Sequence, residues 1–125
     1  MSKIVQVVNT MLNNPSKITN VQKKHDVILF NYLHEQLWGI FKQDNDHIIL
    51  SIYPQKDIPI TVKDLVNMDD LDWKLTPPIS IAYSSESLKE SAALESFTEL
   101  YKVIIEKLYG IDDIFDEIIQ DGQIM

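Results

Sequence analysis

The chain has 125 residues, of which 45% are hydrophobic and 24% charged, with a formal net charge of −8. That length fits one domain, 1–125, on the usual scale of roughly 100–200 residues each, and the composition is too apolar for a disordered chain. It holds no cysteine, which excludes disulfides, thiolate metal sites and cysteine nucleophiles.

No apolar run approaches the roughly 18–20 residues that span a bilayer. The opening Met1–Gln6 has no long apolar stretch of the secretory kind. The expectation is therefore a cytoplasmic protein that does not engage a membrane. All 11 basic residues are lysine. Arginine is the usual fork for phosphate and guanine edges, and phosphate neutralisation drives nucleic-acid binding. A net charge of −8 without arginine argues against a nucleic-acid partner. The charge is also unevenly divided. Residues 1–63 carry seven lysines and five acids, and residues 64–125 carry four lysines and fourteen acids. Such a field serves solubility, and it also speeds encounter with a basic protein.

In chain order, Ser2 caps a predicted helix over 3–13 with Ile4, Val8, Met11 and Leu12 on one face, ended by Asn13-Asn14-Pro15. An antiparallel meander follows over 18–53, with strands at 18–24, 27–33, 36–43 and 47–53. Two-residue turns at His34-Glu35 and Asn45-Asp46 would pair Phe30 with Gly39, Gly39 with Ile52, Ile28 with Phe41, and Phe41 with Leu50. His and Glu suit so tight a turn less well than Asn and Asp, so the first turn has reason to be longer. This register puts Ile28, Phe30, Tyr32, Leu37, Phe41, Ile48, Leu50 and Ile52 on one face, with Gly39 making room for Phe30. It puts Leu29, Asn31, Trp38, Ile40, Ile49, Ser51 and Tyr53 on the other. A sheet with one wet face should alternate apolar and polar, so this second apolar face calls for a cover, either the chain's own helices or another protein.

Residues 54–78 connect through four prolines, with Thr61 capping a short helix over 62–68 and Asp69–Trp73 read as a loop. Residues 79–83 add a short strand. A long helix is expected over 87–109, opened by a Ser87/Glu90 capping box and closed by Gly110. Its wide apolar stripe suits contact with the sheet on one side and a second helix or subunit on the other. A last helix from Asp112 puts Ile114, Phe115, Ile118 and Ile119 on one side and ends at Gly122. The fold class is α+β, with an antiparallel sheet of four to five strands, an N-terminal helix and a long C-terminal helix packed on it.

Motifs for chemistry are sparse. His25, His34 and His47 lack the spacing of a metal site, and His34 and His47 fall at opposite ends of one strand. The acidic runs lack the glycine and oxygen spacing of a calcium loop. Neither a phosphate-binding glycine loop nor a Gly-x-Ser-x-Gly elbow is present, and no histidine can be placed near Ser80, Ser84 or Ser85. No metal, cofactor or catalytic group is expected. The partner-binding residues singled out are Leu29, Trp38, Ile40, Ile49 and Tyr53, with Asp69, Asp70 and Asp72 as acidic neighbours.

In size and acidity alone the chain resembles two bacterial groups, small immunity proteins that neutralise basic toxins and dimeric type III secretion chaperones. The element order partly fits the chaperones, although a four-strand meander before the long helix departs from them. The leading expectation is a non-enzymatic protein-binding domain, immunity- or antitoxin-like, for a basic partner. The alternatives are a secretion-chaperone-like homodimer and a small enzyme or ligand-binding domain.

Overall fold

The computed structural model describes residues 2–55, 59–75, 78–88 and 90–124, and within it the side chains of all but the last two of these. Pro77, counted above in the long connection, lies outside the described residues. The elements run α1 (Lys3–Asn13), β1 (Ile18–Lys24), β2 (Val27–Tyr32), β3 (Gln36–Lys42), β4 (Ile48–Tyr53), α2 (Val62–Val66), α3 (Asp70–Leu75), β5 (Ile81–Ser84), α4 (Ser91–Tyr109) and α5 (Ile111–Ile124). The five strands form one antiparallel meander in the order β1-β2-β3-β4-β5. The expected α+β class, with an N-terminal and a long C-terminal helix on the sheet, is the fold observed.

Local chemistry accounts for the helix ends. The Ser2 hydroxyl accepts the Val5 N–H at 3.4 Å and opens α1, satisfying one of the unpaired donors of the first turn. Ile4, Val5, Val8 and Met11 of α1 are buried. Thr61 and Asp64 form a reciprocal capping box at the start of α2. The Asp69–Trp73 loop expected from the sequence is instead the start of α3. There the Asp69 carboxylate accepts the Leu71 N–H at 2.8 Å, and Asp70 and Asp72 favour the helix N-terminus.

The helix expected over 62–68 ends at Val66 and the last one starts at Ile111 rather than Asp112, and two further helix limits differ from expectation. The long helix starts at Ser91, and Ser87 lies in the preceding turn. The reason is that Glu90 is already engaged: its carboxylate accepts the Ser2 backbone N–H at 2.8 Å and ties the start of α1 to the start of α4. The last helix does not stop at Gly122 but passes through it, since an interior glycine costs only about 1 kcal/mol relative to alanine. Gly110 ends α4 as expected, at a φ of 63° in the left-handed region, where glycine carries no Cβ penalty.

The sheet register departs from expectation by one residue at two hairpins. Tyr32 pairs with Gln36, so the first loop is the three residues Leu33-His34-Glu35. Leu33 and His34 both have positive φ there. The Gln43 N–H donates to the His47 carbonyl at 2.8 Å, so the second loop is Asp44-Asn45-Asp46, with Asp46 left-handed. A left-handed last residue is the usual close of a three-residue hairpin loop. Phe30 consequently faces Trp38 rather than Gly39, and Gly39 faces Leu29 and Ser51. One residue of slip at each loop leaves β2 and β4 on their expected faces and turns β3 over.

Two cores result, one on each side of the sheet. In the larger, Phe30, Trp38, Ile40 and Leu50 pack under α1 and α4 with Val5, Val8, Phe97, Leu100 and Ile104. In the smaller, Leu29, Leu37 and Tyr53 pack under Val62 and Leu65 of α2, with Ile60, Met68 and Trp73 partly buried around them. Lys24 fastens this second cover. Its ammonium donates to the carbonyls of Val66 and Met68, lies 3.8 Å from the Asp70 carboxylate, and stands 5.8 Å from the centre of the Trp73 ring.

Candidate functional site

The five apolar residues expected to form one docking face do not share a face. Trp38 and Ile40 point into the larger core, in the same compartment as Phe30. Leu29 and Tyr53 belong to the smaller core under α2. Ile49 is half-buried and paired with Phe41 and Ser84. Leu29 and Ile40 are fully buried, and Trp38 and Tyr53 nearly so. Apart from the half-buried Ile49, the apolar part of the expected docking surface is therefore interior to this chain, covered by its own helices on both sides. The cause is the register: β3 is apolar on both faces, so the hydrophobic pattern alone could not say which face its odd and even residues take.

The acidic residues of that set are on the surface. Asp69, Asp70 and Asp72 are exposed at the first turn of α3. The Asp70 carboxylate meets the His25 ring at 2.9 Å as well as Lys24. These carboxylates sit over the smaller core, so the local site is an acidic cap on α2–α3 rather than the rim of an open apolar patch.

The structure leaves a different apolar surface uncovered. From Asp112 to Gly122 every residue of α5 is exposed. Ile114 is 45%, Phe115 57%, Ile118 65% and Ile119 56% exposed. At 100° per residue these four share one side of the helix. Asp112 and Asp116 border it along one edge, and Glu117 and Asp121 along the other. The helix carries five acids and no base. The sequence signal for this surface was the pairing of a regular apolar stripe with flanks that carry five acids and no base. What it could not show is that, among the described residues, no other element buries the stripe.

A serine and a histidine that the sequence could not bring together do meet. The His47 ring nitrogen Nδ1 lies 3.0 Å from the Ser85 hydroxyl, which also accepts the Ile48 N–H at 2.9 Å. The Ser85 N–H in turn donates to the Ile48 carbonyl at 2.9 Å. Ser85 is buried, with 4% exposure, so its oxygen faces the end of β4 and not a cleft. A nucleophile must present its oxygen to a reacting atom. This pair instead closes the register between β4 and the turn after β5.

Among the described residues, no three His, Asp or Glu groups are placed to hold a metal ion. Among the same residues, no helix is long and apolar enough to cross a membrane. Burial of Tyr53 pushes its phenol above the usual tyrosine range. No family model matches the chain, and no curated protein or solved structure is significantly similar to it.

Proposed function

We propose that this chain is a non-enzymatic, cytoplasmic protein-binding domain whose partner is a basic protein. The observation that supports this most is the charge of its C-terminal half: residues 64–125 carry fourteen acids against four lysines, and α5 has no base at all. A concentrated field of one sign raises the encounter rate with an oppositely charged protein and disfavours like-charged ones. Neutralisation of a basic toxin, in the manner of an immunity protein or antitoxin, is the most concrete form of this reading. A secretion-chaperone-like homodimer is the second reading. The bare apolar side of α5 favours it, and the carboxylates along that helix oppose it.

Photo-crosslinking side chains placed singly at Leu71, Thr98 and Phe115, all exposed, test the proposal in cells that naturally carry the chain. The expected result is an adduct with a basic protein from at least one position, diminished when the ionic strength is raised before irradiation. Adducts only with a second copy, or none from any position, would overturn it.

A further inference from the structure

We infer that α5 is itself the docking element, and that its occupant is an apolar strip on a protein partner flanked on both edges by lysine or arginine. This rests on the protein-binding reading and adds which element binds and what it binds. The helix has 14 residues and is thus about 21 Å long at 1.5 Å per residue. Within it Ile114, Phe115, Ile118 and Ile119 form a strip about 8 Å long at that rise, and among the described residues they stay 45–65% exposed. A protein rarely leaves four neighbouring large apolar side chains bare unless they bind something.

The carboxylates decide among occupants. Asp112 and Asp116 line one edge of the strip, and Glu117 and Asp121 the other. In a pair of α5 helices from two copies, parallel or antiparallel, an acidic edge would face an acidic edge on both sides. Like charges at such helix edges destabilise the pair. The anionic face of a cell membrane would meet the same carboxylates and be repelled. A strip edged with lysine or arginine places a cation against each carboxylate and an apolar side chain against each of the four, the arrangement of an amphipathic helix laid on its partner. Gly110 sets this helix off from α4 in a left-handed turn, and an added Cβ there would meet no other part of the fold within 4 Å.

The test uses the full chain and a labelled, designed helical peptide of leucine and lysine, with leucines in a stripe and lysines on both edges. A second peptide has glutamate in place of lysine. The chain is expected to bind the lysine peptide and not the glutamate one, and to bind it more weakly as salt rises. Phe115→Ser with Ile118→Ser should weaken binding at least tenfold while circular dichroism is unchanged. Asp112→Asn, Asp116→Asn, Glu117→Gln and Asp121→Asn together should weaken it and flatten its salt dependence. Equal binding by the serine variant, or by the glutamate peptide, would overturn the inference. So would a dimer of the parent chain that the serine variant dissociates, or competition by vesicles of phosphatidylcholine. If crosslinks to a basic protein form from Leu71 or Thr98 while the peptide result fails, the partner class stands and the assignment to α5 falls.

Discussion

Gly39 lies directly beneath Tyr53. A Cβ at position 39 would stand 3.3 Å from the tyrosine Cε2, 3.1 Å from Val27 Cγ1 and 3.4 Å from Leu29 Cδ2. The glycine thus sets the spacing of the smaller core, on the face opposite the one that the sequence assigned to it. Gly39→Ala gains up to about 1 kcal/mol through the unfolded chain and loses a similar amount by crowding, so its stability should stay within about 1 kcal/mol of the parent. Gly39→Val has no such room and should cost about 1–3 kcal/mol by overpacking. Urea unfolding of the two variants measures both.

Lys24 holds α2–α3 onto the sheet with a nearly buried side chain. Lys24→Met keeps the aliphatic stem and removes the donors, leaving the Val66 and Met68 carbonyls without the ammonium that now reaches them. Removing one partner of a buried hydrogen bond costs about 1–3 kcal/mol. The variant should unfold earlier by that amount. Amide exchange should rise first between residues 62 and 75, and the fluorescence of Trp73, now beside the ammonium, should change before that of Trp38.

Tyr53 makes stability fall at alkaline pH. Its phenol titrates higher in the fold than in the open chain because burial disfavours the phenolate. Below about pH 10 both states keep the proton, and this group adds no pH dependence. As pH rises past that value the unfolded chain releases its proton first, so stability falls. Thermal unfolding between pH 8 and 11 should show this loss, and Tyr53→Phe should reduce it while leaving stability near neutrality little changed.

Phe97 and Phe115 should behave oppositely when truncated. Phe97 on α4 is fully buried in the larger core, and Phe115 on α5 is more than half exposed. Phe97→Ala should cost about 3–5 kcal/mol through lost burial and a cavity. Phe115→Ala should change stability by no more than about 0.5 kcal/mol. A large loss at Phe115 in calorimetry would mean that α5 is part of the core, leaving no free strip for a partner.

Much of the fold was legible in the residues because its signals are local. Ser2 and Thr61 cap the helices expected of them, Gly110 ends α4, and the strands lie within two residues of their expected limits. Periodicity, capping and turn chemistry act over a few residues, and each can be read from a short window. The helix start at Ser91 was not legible, because Glu90 is held by Ser2 at the other end of the chain.

The sequence by itself determined the element order, the α+β class, the absence of thiol chemistry and the crowding of carboxylates toward the C-terminal half. The tertiary structure alone decided which residues are surface. Side chains alternate along a strand, so one added residue in each of two loops exchanged the faces of β3 and carried Trp38 and Ile40 into the larger core. It likewise decided that α2 and α3 cover Leu29 and Tyr53 while, among the described residues, Ile114, Phe115, Ile118 and Ile119 stay exposed. An apolar stripe records that a face prefers burial. Which neighbour provides that burial depends on packing between elements far apart in the chain.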